Sequence, residues 1–384
     1  MSFRRIIFWS HLSVGVAVGL IVFLLSATGV LLTYERQMLD SAEIRLSPEA
    51  MTGERLTVDE LAAIAQQDGA QTQRSLVFHR DPARPVEISA GRGNTSLIHP
   101  YTGEPVESAA GPMQDFFRAV TSLHRYLAMS GEARETGAAI TGAANLAFLF
   151  ILVSGFYLWW PKAWRWSFIK LNLFFRTHLP GAKARDYNWH HVFGIWALVP
   201  LLAVVISGVV ISYPWAANLV TRAYGEAPSS QRGPGPAPGG NADSREQELP
   251  PLQQTAALQD MFEIARGADR HWRTVTVALP TTPSAPSVEV TVDTGNGAQY
   301  DRKHLLTFDR SDGGLLTDVV VAQTQTPARR ARIYLRFLHT GEVYGWWGQT
   351  LAGLGSLAAL FLVWTGLALA WRRLVLPVWR KRRS

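Results

Sequence analysis

The stretch WHHVFGIWALVPLLAVVISGVVISY, Trp189 to Tyr213, decides the fold. Its 25 residues hold no Asp, Glu, Lys or Arg, enough for an apolar helix to cross a hydrocarbon core about 30 Å thick. Its histidines fall in the first turn. Laid on the N-terminal stretch His11 to Tyr34 at a constant offset of 179 residues, it needs no gap: His190 falls on His11, Gly194 on Gly15, Gly208 on Gly29 and Tyr213 on Tyr34. These matches read as two copies of one device, an internal twofold repeat.

The spacing has a physical meaning. Residues i and i+4 share a helix face, and i+18 returns to the same line after five turns. His11, Gly15 and Gly29 therefore form one stripe, as do His190, Gly194 and Gly208. An imidazole with glycines along its own face suits a flat macrocycle: an axial nitrogen, and no Cβ where the ring edge approaches. Close helix–helix packing through the glycines is the alternative use of the same residues.

The chain has 384 residues, 14 tryptophans and 47% apolar residues, with mean hydropathy of +0.04. Membrane spans mixed with polar domains give that average. The absence of cysteine excludes disulfides, iron–sulfur clusters and covalent c-type haem. Four segments are apolar enough to span: Ile6–Thr33, Ala138–Trp160, Trp189–Tyr213 and Leu351–Trp371. The first exceeds a signal-peptide core in length and no small-x-small cleavage site follows, so it reads as an uncleaved span.

Charge orients the spans. Arg4 and Arg5, the 161–188 loop and the tail from Arg372 hold 14 basic residues against one acid, Asp186, while the rest of the chain is net negative. The positive-inside rule puts both termini and the middle loop in the cytoplasm, and the two large polar segments outside. The net charge of +7 thus belongs to a membrane orientation and not to nucleic-acid binding. The expected organisation is span 1–34, external domain 35–113, a histidine-bearing segment and span 114–160, basic loop 161–188, span 189–213, external domain 214–332 with a Gly/Pro-rich linker 226–251, a second histidine-bearing segment and span 333–371, and basic tail 372–384. Both external segments read as a helix followed by strands: TVDELAAIAQQD (57–68) and 254–265 are helical in pattern, and the hairpins LIHPYTGEPV (97–106) and LLTFDRSDGGLL (305–316) correspond.

The H-x-x-x-G start of spans one and three, the PYTGE hairpin, and the Leu123-His124 and Leu338-His339 pairs before spans two and four resemble the PepSY-associated transmembrane helix family, in particular its inner-membrane ferric-siderophore reductases (FoxB-like). The likeness covers nearly the full length, and the order and duplication of the motifs make it specific. It implies a four-helix membrane core in the bacterial inner membrane carrying b-type haems, with two small α+β PepSY-like periplasmic domains, and reduction of iron(III)-siderophores delivered from outside.

Sorted by side, the histidines fall into two pairs. His11 and His190 lie at the cytoplasmic ends of spans one and three, with His191 the rival to His190. His124 and His339 lie at the external ends of spans two and four. Each pair suits one haem iron through neutral imidazole nitrogens, giving two haems b per chain and a relay across the bilayer. His124 lies 14 residues before Ala138, which on a straight helix is about 20 Å above the span, so the chain must fold back through GEARETG. Arg118, Arg125, Arg332 and Arg336 are candidate partners of haem propionates. No G-x-G-x-x-G or P-loop occurs, so electrons must come from a separate cytoplasmic or quinone donor. The expected activity is an oxidoreductase, a ferric-siderophore reductase. A siderophore or metal permease, or a regulatory envelope protein acting through its external domains, are the competing expectations.

Overall fold

The computed structural model describes residues 2–67, 73–91, 94–161, 164–227, 255–282 and 284–381. The expected linker from 228 onward, Lys162 of the basic loop and the end of the tail at 382–384 lie outside the described residues. In chain order the elements are α1 (Phe3–Leu32), α2 (Glu35–Ala42), α3 (Val58–Gln66), β1 (Ser75–His79), β2 (Val86–Ser89), β3 (Thr95–Ile98), β4 (Pro105–Val106), α4 (Gly111–Tyr126), α5 (Ala133–Trp159) and α6 (Trp166–Leu173). Then follow α7 (Ala182–Trp196), α8 (Leu198–Ser212), α9 (Pro214–Ala223), α10 (Leu258–Ala268), β5 (Thr274–Ala278), β6 (Ser287–Asp293), β7 (Lys303–Asp309), β8 (Leu315–Val320), α11 (Pro327–Thr340), α12 (Gly345–Leu374) and α13 (Leu376–Lys381). They form two compact units. One comprises residues 1–36, 115–234 and 331–384, the other 37–114 and 235–330.

The first unit is helical. α1 runs unbroken for 30 residues because, after Arg5, no proline or charge interrupts it. It packs against α5 and α12; α5 packs on α8, and α12 on α7 and α8, closing a ring. Val22, Phe148, Leu152, Leu201, Val205 and Ala359 fill the centre. The outer surface is just as apolar: Leu20 is 78% exposed and Val199 74%. A bundle that is hydrophobic inside and out is covered by lipid, not by water. Three helical stretches are long and apolar enough to cross a membrane, and α7 with α8 makes a fourth if the bent pair is one span.

That pair departs from the continuous helix expected over 189–213. The axis bends by 65° at Ala197. Pro200 is the cause: it lacks an N–H, and its ring collides with the carbonyl four residues back, that of Trp196, so the helix must break there. His190 and Gly194 therefore lie on α7 and Gly208 on α8, and the single stripe expected from their spacing is divided between two axes. The stripe of His11, Gly15 and Gly29 stays on one helix.

The second unit is one antiparallel sheet of order β4-β3-β2-β1-β5-β6-β7-β8. Alternating apolar residues bury one side of each central strand, Leu76 and Phe78 on β1 and Val275 and Val277 on β5. α3 and α10 contribute Leu61, Ala65, Met261 and Phe262 to the same core. Two separate small domains are expected from the sequence. Here segments 37–114 and 235–330 instead share one sheet and one core, because β1 pairs along its length with β5, Val77 opposite Thr276. Each strand would otherwise be a bare edge.

The helices are tied across the same seam. The Asp59 carboxylate of α3 accepts from the amides of Leu258 and Gln259 at the start of α10, at 2.9 and 3.0 Å. Gln259 Oε1 returns a bond to the amide of Val58, 2.9 Å. Each helix thus satisfies N-terminal donors of the other, N-capping by exchange, where a single cap is worth about 1 kcal/mol. The expected start of the first helix at Thr57 holds: Thr57 and Glu60 form a capping box.

Candidate functional site

The helical unit gathers four histidines, each in the same local setting. The His11 Nδ1 lies 2.9 Å from Ser154 Oγ, and its ring covers Gly155 of α5. His190 meets Thr365 Oγ1 at 3.0 Å over Gly366 of α12. His124 meets Thr28 Oγ1 at 2.8 Å beside Gly29 of α1. His339 meets Ser207 Oγ at 3.4 Å over Gly208 of α8 and donates to the Val204 carbonyl at 2.8 Å. A hydroxyl followed by glycine is the seat in every case, and it stands on a different helix from the histidine it receives.

The hydroxyls fix the tautomer. Ser154 donates to the Phe150 carbonyl, Thr28 to Leu24, Thr365 to Phe361 and Ser207 to Ala203, at 2.6 to 2.7 Å. A hydroxyl has one proton, and that proton is already placed. The oxygen can then only accept, so Nδ1 carries the proton and Nε2 keeps its lone pair; in His339 that proton goes to the Val204 carbonyl at 2.8 Å, with the Ser207 hydroxyl a longer second contact at 3.4 Å. Metal-binding histidines are held in this way, the far nitrogen donating to an oxygen while the near one faces the metal. The glycines let the rings lie down: a Cβ would stand 3.2 Å from His11 Cε1 at Gly155, 3.3 Å from His190 Cε1 at Gly366 and 3.2 Å from His339 Cε1 at Gly208.

Pairing follows from position. His124 and His339 face each other with ring centroids 6.4 Å apart and planes at 60°. Two metal–nitrogen bonds of about 2 Å, with the ring radii on either side, give a centroid spacing of about 6 Å for one metal held between two imidazoles. His190 lies within electrostatic reach of His11. Along α1, His11 and the seat of His124 at Thr28 are about 25 Å apart at about 1.5 Å per residue. The two pairs thus occupy opposite ends of the bundle.

His124 reaches the bundle by a sharp reversal. Leu127 and Ala128 take positive φ of 53° and 58°, Gly131 follows at 56°, and α4 turns back onto α5. Thr141 on α5 donates to the Arg125 carbonyl at 2.9 Å. His339 returns through Gly341 and Gly345, at φ of 77° and 60°, where a side chain would be strained.

Other expected residues take different positions. His191 bonds the Tyr187 carbonyl of its own helix at 2.9 Å and stacks on the Tyr187 ring, centroids 4.1 Å apart. It has no hydroxyl–glycine seat. Gly15 has nothing within 4 Å of an added Cβ, and Gly194 meets only Leu362. Gly29 and Gly208 serve histidines of other helices, not those of their own. Arg118 pairs with Asp115 in solvent. Arg336 lies over the Phe337 ring. Arg125 is within electrostatic reach of both His124 and His339, and Arg332, two turns before His339, has a buried Nε without a hydrogen-bond partner. His178 is exposed, and His79, His271 and His304 each meet a carboxylate in the sheet unit. The Thr28-Gly29 and Ser207-Gly208 seats were not read from the sequence. The fourfold recurrence of Ser/Thr-Gly deep in an apolar segment was the available signal.

Long apolar helices, an apolar outer surface and four histidines seated between helices define a helical membrane protein. The chain belongs to the family of the PepSY-associated TM region, whose sequence profile matches residues 8–373. No match was found among curated proteins.

Proposed function

We propose that this chain is an electron conduit of the bacterial inner membrane that holds two b-type haems and reduces an iron(III)-siderophore on the periplasmic face, releasing iron(II). His11 and His190 would hold the haem at the cytoplasmic end, and His124 and His339 the haem at the periplasmic end, through their free imidazole nitrogens. The single observation that carries the reading is the fourfold seat: Nδ1 directed at a hydroxyl, or for His339 at the Val204 carbonyl beside it, Nε2 left with its lone pair, and one pair of rings 6.4 Å apart. The bound iron supplies reversible one-electron chemistry.

The protein's own part is positional. Ser154, Thr365, Thr28 and Ser207 hold the imidazoles in the ligating tautomer, and Gly155, Gly366, Gly29 and Gly208 let the rings approach the helices. Arg125 and the unpartnered Nε of Arg332 offer positive charge to an anionic edge at the periplasmic centre. The apolar bundle excludes water, and a spacing of about 25 Å along α1 divides the bilayer barrier between two centres. The basic end faces the cytoplasm, where a separate reductant supplies electrons; the sheet unit is periplasmic.

The test is a visible spectrum of the purified protein, oxidised and dithionite-reduced, with haem quantified per chain. Low-spin b-type bands at two haems per chain are expected. Colourless protein from haem-replete cells would discard the proposal.

A further inference from the structure

The basic end of the helical unit carries an open cavity of about 700 Å³ that the histidine centres do not use. Its walls are largely apolar, with Leu171 of α6 and Leu369 of α12 among them, and its polar groups include Arg176, Lys183 and Tyr187. Asn188 also lines it, but its side chain is already committed: Oδ1 accepts from the Arg176 amide, and Nδ2 donates to the carbonyls of Leu171 and Phe174. The nearby carboxylate is committed too. Asp186 is buried and ion-paired with both Arg185 and Arg372. Among the described residues neither Arg176 nor Lys183 makes an ion pair, so two cations border an apolar cavity with no anion to meet them.

Exposed aromatic residues stand on the helix that forms one wall of the cavity. α6, which lends Leu171 to the cavity wall, also carries Trp166, 61% exposed, with the exposed Phe174 against it, ring centroids 6.3 Å apart. Large amphipathic rings collect at the level of lipid headgroups. A basic cavity between helices at that level matches a phosphodiester with acyl chains attached. A free phosphate ion would need many hydrogen-bond donors and gain nothing from the apolar walls.

We infer that this cavity binds the headgroup of an anionic phospholipid, its phosphate between Arg176 and Lys183 and its chains along Leu171 and Leu369. Tyr187 lines the cavity and stacks on His191, whose ring centroid is 6.3 Å from that of His190. A lipid seated there braces the first two turns of α7, directly before His190 and His191. The inference stands independently of the haem reading.

The test uses the full chain purified in a mild detergent, with native mass spectrometry and thermal unfolding as readouts. Phosphatidylglycerol should stay bound and raise the midpoint of unfolding, while phosphatidylcholine should do neither. The double variant Arg176→Gln/Lys183→Gln should bind phosphatidylglycerol at least tenfold more weakly, and Ala184→Trp, which fills the cavity, should do the same without touching a charge. Equal binding of phosphatidylcholine, or full retention of phosphatidylglycerol by both variants, would overturn the inference. So would displacement of the lipid by millimolar inorganic phosphate or by a short-chain quinone, since either would name a different occupant.

Discussion

His124 on α4 and His339 on α11 stand with their ring centres 6.4 Å apart, although 215 residues separate them in the chain. Each is held from behind by a hydroxyl of yet another helix, Thr28 for one and Ser207 for the other.

His124→Ala or His339→Ala should each lower haem from two to about one per chain, and the double variant should lower it no further. His11→Ala and His190→Ala should remove the other haem, whereas His191→Ala should leave both. Pyridine haemochrome assay of the purified variants reads all six. A His191 variant that loses a haem, with His190→Ala unchanged, would exchange those two roles.

The glycines separate into two kinds. A side chain at Gly208 meets His339 Cε1 at 3.2 Å and Asn145 Nδ2 at 2.9 Å, while Gly15 opens onto free space. Gly208→Val should therefore cost one haem per chain, and Gly15→Ala should cost none by the same assay. Equal loss in both variants would mean that the backbone, and not the seat, was disturbed.

Exchange of caps between α3 and α10 predicts a directional effect. Asp59→Ala removes the acceptor for two amides at the start of α10 and should weaken local protection by about 1–2 kcal/mol. Amide hydrogen exchange should speed up at Leu258 and Gln259. Gln259→Ala should instead release the Val58 amide. Unchanged exchange at both helix starts would rule out the reciprocal cap.

Acid should loosen the β1–β2 pair. Burial raises the Glu87 pKa, but the hydrogen bond from His79 Nε2 at 2.7 Å and the charges of His79 and Arg84 outweigh it and hold the carboxyl below its ordinary value. A carboxylate with a depressed folded-state pKa contributes stability that is complete above the ordinary glutamate value and is lost as pH falls through the folded one. Protection factors in β1 and β2, followed from neutral pH to about pH 3, should fall at the acid end. In Glu87→Gln they should start lower and fall less. Parallel curves for the two proteins would refute the assignment.

Local features of the fold were legible. The capping box at Thr57, the two hairpins and the apolar helices α1, α5 and α12 depend on neighbours in sequence, and each stands where its pattern put it; only the stretch 189–213 is divided between two helices. The spacing of His11 and His190 and the Leu-His pairs at 123–124 and 338–339 singled out the four histidines that the helical unit seats on hydroxyl–glycine pairs. The bend at Ala197 had a signal in Pro200 that an apolar window average conceals. What sequence spacing could not give was non-local. That β1 finds β5, or that Gly29 serves His124 instead of His11, depends on packing between segments about 95 to 200 residues apart.

The seam between β1 and β5 also sets an order of events during synthesis. Strand β1 is complete at His79, and its mate begins at Thr274. Between them the ribosome must make α5, α7 and α8. At 5–20 residues per second, the first half-sheet waits roughly 10 to 40 s with an unpaired border. A nascent chain of this kind is at greatest risk of wrong pairing in that interval, and stalling there would be far more harmful than stalling after Ala278.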